Sequence, residues 1–203
     1  MGTLFWDVDT QVDFFDKGKL AVPGAEAIRG NLKLLTLKGW EASVTMAGSA
    51  DAHTPEDREF QVWGEHCVYG TPGQRKIPET RLDDILLIPS RKLTSSQLSE
   101  ATQFRGQVIF EKQVNDVKSN RNVMRYLEAV RPDGIVLYGV VTEICVDLTV
   151  QFLVGELGYS VTVVDDAIRE IDPTQAMKAR SNWRNQGVKI ASTKDVLYGL
   201  KRV

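Results

Sequence analysis

Cys145 stands where an apolar, β-branched run, Gly134-Ile135-Val136-Leu137-Tyr138, gives way to a stretch of helical length, Glu143 to Leu157, that stops at Gly158. The run is of the kind that forms a buried parallel strand. Thr142 occupies the place of an N-cap and Glu143 the first turn, which puts Cys145 at about the third helical position, where backbone N–H groups lack intrahelical partners. The helix dipole favours an anion there, so the position predicts a thiol that ionises below its ordinary value of about 8.5. The other reading is a small buried residue, which most free cysteines are, and the surroundings must decide between them.

Four more residues with chemical potential follow expected strands. Asp9 comes after the run Leu4 to Val8, and Asp51 and His53 come after a second expected strand, Glu41 to Met46, and the small residues Ala47-Gly48-Ser49-Ala50. Lys112 closes the run Val108 to Phe110. Alone, each acid reads as a turn former and the lysine as solvated. Together on one edge, an acid, an ammonium and a thiol are the parts of nucleophilic acyl transfer.

The chain has two histidines, His53 and His66, both in a long polar and aromatic connection from Thr54 to Pro78. Asp51-Ala52-His53 and His66, with Glu59 between them, offer mixed oxygen and nitrogen ligation suited to zinc, with iron or manganese as alternatives. Two surface histidines in a polar loop are the competing explanation. If both bind metal, no histidine remains for Cys145, and Asp9 is the best available proton carrier.

These residues need a scaffold that brings strand ends together. Turn signals and periodicity predict helices over Ala25–Leu37, Asn122–Val130, Glu143–Leu157, Pro173–Asn185 and Lys194–Leu200. Further strands are expected at Ile85–Ile88, Ser160–Val164 and Val188–Ala191. Strands alternating with helices predict an α/β fold, an open and mostly parallel sheet with helices on both faces, whose ligands bind beyond the carboxyl ends of the strands. The apolar residues of the Glu143–Leu157 stretch spread around its circumference, which predicts burial by the sheet and by a second subunit in a homo-oligomer.

With 203 residues and no linker the chain reads as one domain, residues 1–203. Hydrophobic residues make up 42% and charged residues 26%, enough for a substantial core, and the net charge of −2 is dispersed, which argues against a nucleic-acid or membrane surface. No signal-like segment or long apolar span occurs, and two cysteines cannot form a disulfide scaffold, so a cytoplasmic protein with free thiols is expected.

As a set, Asp9-Thr10-Gln11-Val12-Asp13-Phe14, Asp51-Ala52-His53, Trp63-Gly64-Glu65-His66-Cys67, Lys112, Gly139-Val140-Val141-Thr142-Glu143-Ile144-Cys145 and Val163-Val164-Asp165-Asp166-Ala167 resemble the isochorismatase-like cysteine hydrolases, and within them the nicotinamidases. The resemblance implies a three-layer α/β/α fold, with Cys145 as nucleophile, Asp9 as general acid and base, and Lys112 as the cation of a triad. It implies a cis peptide between Val140 and Val141 that aims the Val141 and Cys145 N–H groups at an oxyanion. It further implies a divalent metal on Asp51, His53 and His66 that takes the ring nitrogen of nicotinamide, with Phe14 and Trp63 flanking the ring and Val140 beside it. Glu59 stands where many nicotinamidases carry another histidine, so a direct ligand, a ligand through water and a weaker site are all open. Residues Gln113 to Lys118 lack the glycine and aromatics of a nicotinamide pocket, and Glu65 replaces a proline. The expected activity is hydrolysis of a small amide with release of ammonia, with nicotinamide leading. The alternatives are a carbamoyl or ureido amide hydrolase and a catalytically silent oligomeric member. Isochorismatase activity fits less well, since vinyl-ether hydrolysis does not use the cysteine.

Overall fold

The computed structural model describes residues 2–200; Met1 and residues 201–203 of the expected domain lie outside them. Seven strands form one sheet in the order β3-β4-β2-β1-β5-β6-β7, and every neighbouring pair is parallel. The strands are β1 Thr3–Val8, β2 Thr45–Asp51, β3 Ile85–Ile88, β4 Gln107–Lys112, β5 Gly134–Val140, β6 Val161–Arg169 and β7 Lys189–Ala191. The helices are α1 Arg29–Glu41, α2 Phe60–Trp63, α3 Ser95–Gln103, α4 Val123–Val130, a composite α5 over residues 142–156 that carries Cys145, α6 Pro173–Asn185 and α7 Thr193–Leu200. Among the described residues, no helix is long and apolar enough to cross a membrane.

Side chains of a strand alternate between faces, and β1 shows the consequence. Leu4, Trp6 and Val8 enter one core layer, covered by α3, α4, α5 and α6 through Ala101, Val123, Leu127, Val150 and Trp183. Phe5 enters the other layer with Leu32 and Leu35 of α1, against which Val196 and Leu197 of α7 pack. The chain after β1 therefore crosses to one face and the chain after β5 to the other. A crevice opens beyond the carboxyl ends of two adjacent strands that diverge in this way.

The second strand begins later than expected, at Thr45, because α1 continues through Gly39 to Glu41. Gly39 does not end the helix; it lets the helix approach the sheet, since a Cβ there would lie 2.8 Å from Phe5 Cδ2. The small residues after Met46 are strand and not loop. They sit between β1 and β4 at the centre of the sheet, where a Cβ on Gly48 would lie 2.2 Å from the Asp7 carbonyl oxygen. Helix α3 has no counterpart among the expected elements, although Thr94-Ser95-Ser96-Gln97 forms a capping box with both reciprocal hydrogen bonds. Strand β6 runs five residues past Val164, to Arg169, across a register shift against β5.

Helix α5 is π-helical over Thr142–Val146, α-helical over Asp147–Val150 and π-helical again over Gln151–Glu156. Thr142 is not its cap. The flanking residue is Val141, whose carbonyl accepts from the Ile144 and Val146 N–H groups, while Thr142 Oγ1 is buried without a partner. Val146, Val150, Phe152 and Leu153 are buried within the chain, while Ile144, Leu148 and Val154 on the same helix are half-buried.

Candidate active site and metal centre

Asp9, Asp51, Lys112 and Cys145 arrive at the crevice from the ends of β1, β2, β4 and β5. Asp9 turns away from its strand at φ 48°, a left-handed conformation that aspartate tolerates better than most residues. Gln11 fixes the neighbouring strand end. Its Oε1 accepts from Asp51 N at 2.7 Å, and its Nε2 donates to Asp51 O at 2.8 Å and Gln74 O at 2.7 Å.

Lys112 is fully buried and is the hub of the cluster. Its Nζ lies 3.0 Å from Asp9 Oδ2 and 3.8 Å from Cys145 Sγ, and it also bonds Asp51 Oδ1. Burial works against its charge, but the Asp51 and Asp9 carboxylates outweigh burial and hold it well above the usual lysine range. Residues 9, 112 and 145 thus meet in one compartment. Asp51 is shared, touching the ammonium on one side and facing the histidines on the other.

The surroundings of Cys145 reverse the expected acidity. Burial pushes its thiol well above the ordinary range; Lys112 pulls it down, and Asp9 and Asp51 push it further up. Cys145 Sγ–H donates to Asn115 Oδ1 at 3.9 Å. The peptide between Val140 and Val141 is cis.

The two histidines are brought together by strand-like pairing of residue 53 with residue 68. His53 N donates to Cys67 O at 3.1 Å, and Tyr69 N donates to His53 O at 2.9 Å. Asp13 Oδ2 accepts from Cys67 N at 2.7 Å and pins the same segment. Ligand atoms of Asp51, His53 and His66 all lie within 4.8 Å of one another, and all three residues are buried.

The donor chemistry fits a divalent metal. His53 Nδ1 is 3.0 Å from Asp57 Oδ2 and His66 Nδ1 is 2.8 Å from Gly64 O, contacts that place the ring protons on the Nδ1 atoms and leave Nε2 lone pairs for a metal. Among the described residues, His53 Nε2 is buried with no hydrogen-bond partner. Burial lowers the pKa of His66, in keeping with a neutral imidazole. Phe60 packs on both imidazoles, at 5.2 Å from the His53 ring and 5.7 Å from the His66 ring. Glu59 is outside this group of three, but its buried Oε1 has no partner and it lines the same cavity.

Phe14, Trp63 and Val141 line the cavity with Leu20, Asp51, Glu59, His66, Asn115, Ile144, Cys145 and Ile171, around about 280 Å³ of empty space that includes the mouth. Val140 does not line it. As the last residue of β5 it is fully buried in the core layer of Val164 and Ala167, while Val141, just past the strand, lines the cavity. A larger cavity, lined by Trp40, Thr45, Met46, Phe104, Arg105 and others, lies at the opposite edge of the sheet and contains none of the residues expected to do chemistry.

Residues 4–195 match the isochorismatase domain family. The chain belongs to that family. No curated protein sequence matches it. Among solved structures it is similar to an N-carbamoylsarcosine amidase from Thermoplasma acidophilum, at 24% identity and TM-score 0.73 over 95% of this chain and 97% of that one. It is also similar to the pyrazinamidase of Pyrococcus horikoshii in complex with zinc, at 22% identity and TM-score 0.77 over 95% and 99%, and to the pyrazinamidase/nicotinamidase of Streptococcus mutans, at 22% identity and TM-score 0.76 over 93% and 99%.

Several residues of this isochorismatase-family site escape a reading of the sequence. Asp57 sits four residues past His53 in a polar loop, and only the fold shows its carboxylate on the ring. Ile171 is drawn to the cavity from the far side of α5, because Glu143 Oε1 accepts from Ile171 N at 3.0 Å and Asp172 N at 2.7 Å. Gln11 lies within the first acidic motif, whose two acids attract attention before it.

Proposed function

We propose that this isochorismatase-family chain is a metal-containing cysteine amidohydrolase that releases ammonia from a small heteroaromatic amide, with nicotinamide as the leading substrate. The observation that carries the reading is the Lys112 ammonium, in contact with Asp9 and Cys145 beside a cavity lined by Asp51 and His66, which cluster with His53.

In this reading Cys145 loses its proton to Asp9 as Sγ attacks the amide carbon, and the carbonyl electron pair moves onto oxygen. Backbone N–H groups of Val141 and Cys145 stabilise that oxyanion. The C–N bond then breaks, Asp9 gives its proton to the departing nitrogen, and ammonia leaves a thioester. Water attacks the thioester carbon, its proton passes to Asp9, the C–S bond breaks and the carboxylic acid departs as the thiol is restored. Because burial favours the neutral thiol, proton removal and attack are coupled, and Lys112 stabilises the sulfur as charge develops on it. Asp51, His53 and His66, with Glu59 facing them, would hold a divalent ion, zinc first, that supplies a coordination position for the ring nitrogen.

The lining also bears on the choice of substrate. Among the described residues around the cavity none is a cation, and Lys112 beneath it is committed to Asp9 and Asp51. A neutral ring against Phe14 and Trp63 suits this lining, whereas the carboxylate of an N-carbamoyl amino acid would find no lysine or arginine in it. Ammonia release is the test. Turnover of nicotinamide well above that of N-carbamoyl compounds is expected; release from the N-carbamoyl compounds alone would transfer the assignment to the ureido class.

A further inference from the structure

We propose that Asn115 recognises the –NH₂ group of a primary carboxamide substrate and so sets the preference for amides over esters; this rests on the amidohydrolase reading above. Asn115 lies three residues beyond Lys112, half-buried on the turn that leaves β4. Among the described residues, the hydrogen bond from Cys145 Sγ to its Oδ1 is the one its side chain makes. Away from the metal ligands the cavity wall is otherwise apolar, formed by Phe14, Leu20, Val141, Ile144 and Ile171. Asn115 is thus the neutral polar side chain at the reacting end.

The two sides of Sγ differ. The turn from β5 into α5 contributes backbone, while the end of β4 contributes Lys112 Nζ at 3.8 Å and Asn115 Oδ1 at 3.9 Å. A carbonyl group approached by Sγ directs its oxygen to one side and its nitrogen to the other. Asp9, which must protonate the leaving nitrogen, is bound to Lys112 on the β4 side. The nitrogen therefore lies beside Asn115, where Oδ1 replaces the thiol by an amide N–H as its donor. An ester places an oxygen lone pair there and offers Oδ1 no donor.

The test compares kcat/KM for nicotinamide with methyl nicotinate, and for benzamide with methyl benzoate, in the wild-type chain and in Asn115→Ala. The benzoyl pair lacks a ring nitrogen and is independent of any metal contact to the ring. Expected is a fall of at least about tenfold in the amide-to-ester ratio for both pairs, with ester turnover retained, which also shows that the variant folds. Parallel loss on amide and ester, or no loss on either, overturns the assignment. A wild-type chain that treats benzamide and nicotinamide alike counts against the metal-held ring, while the benzoyl pair still decides the role of Asn115. A wild-type chain that hydrolyses no amide overturns both proposals.

Discussion

A sulfur atom, an ammonium and two carboxylates share one buried compartment, and the chemistry of each depends on the others. Asp9 and Asp51 flank Lys112 and hold its ammonium well above the usual lysine range, while burial and the same two acids push the Cys145 thiol up against the pull of that one ammonium. Cys145→Ala is therefore expected to lower amide turnover by at least about 10³-fold, since the attacking atom is removed. Circular dichroism and urea unfolding should remain close to wild type, because the exchange removes a single atom from a nearly buried site. Normal activity in this variant would sink the nucleophile assignment. The raised thiol pKa also has a kinetic consequence. Only the thiolate reacts with iodoacetamide, so labelling of Cys145 in the metal-free chain should keep accelerating with rising pH beyond about 8.5, where an ordinary thiol levels off. Cys67, fully buried and likewise pushed up by burial, should not label until the chain unfolds. Mass spectrometry of peptides after timed alkylation separates the two thiols.

Strand β2 is held to a close position between its neighbours. It ends in Asp51, which faces both the histidines and Lys112, and it must lie flush between β1 and β4 to do so. That closeness requires the small residues of its middle. Gly48→Ala would press a methyl group against the Asp7 carbonyl at 2.2 Å, a backbone contact that no side-chain rotation relieves. We expect it to destabilise the chain by about 1–3 kcal/mol, as overpacking of a core typically does, with metal binding reduced because the Asp51 end shifts. Urea denaturation checks the first effect and a zinc titration the second. An unchanged midpoint would mean that the sheet tolerates a separation this packing does not predict.

At the scale of the whole molecule, the Asp51, His53 and His66 cluster, which could hold a metal ion, joins the connection from Thr54 to Pro78, through His66, to the end of β2. A ligand that binds the folded state alone raises stability by mass action, by about 2.7 kcal/mol at a hundredfold excess over Kd. Zinc added to chelator-treated protein should therefore raise the thermal midpoint, and His66→Ala should abolish the gain. Asp57→Ala acts at one remove. Loss of the 3.0 Å contact frees the His53 ring to choose its tautomer and should weaken zinc about 10- to 100-fold, with Asp57→Asn, which keeps an acceptor oxygen, closer to wild type. Competition with a chromophoric chelator measures both, and equal affinity in all three proteins would remove Asp57 from the metal site.

The alternation of apolar runs with helical stretches was enough to specify a parallel α/β sheet with its polar residues at one edge, because strand and helix periods are local properties of the chain. The same local logic singled out Asp9, Asp51, His53, Lys112 and Cys145, each of which follows or ends a strand. It misread Ala47-Gly48-Ser49-Ala50 and Gly39, whose smallness answers the closeness of Asp7 and Phe5, neighbours distant in sequence. It also expected an acidic thiol from the helix terminus, since burial beside Asp9 and Asp51 is invisible until the chain closes. The partnership of Asp51 with Lys112, the hold of Asp57 on His53, the burial of Val140 and the place of Asn115 at the sulfur were decided by tertiary structure. Each depends on segments that only the crossovers of the sheet bring within a few ångströms.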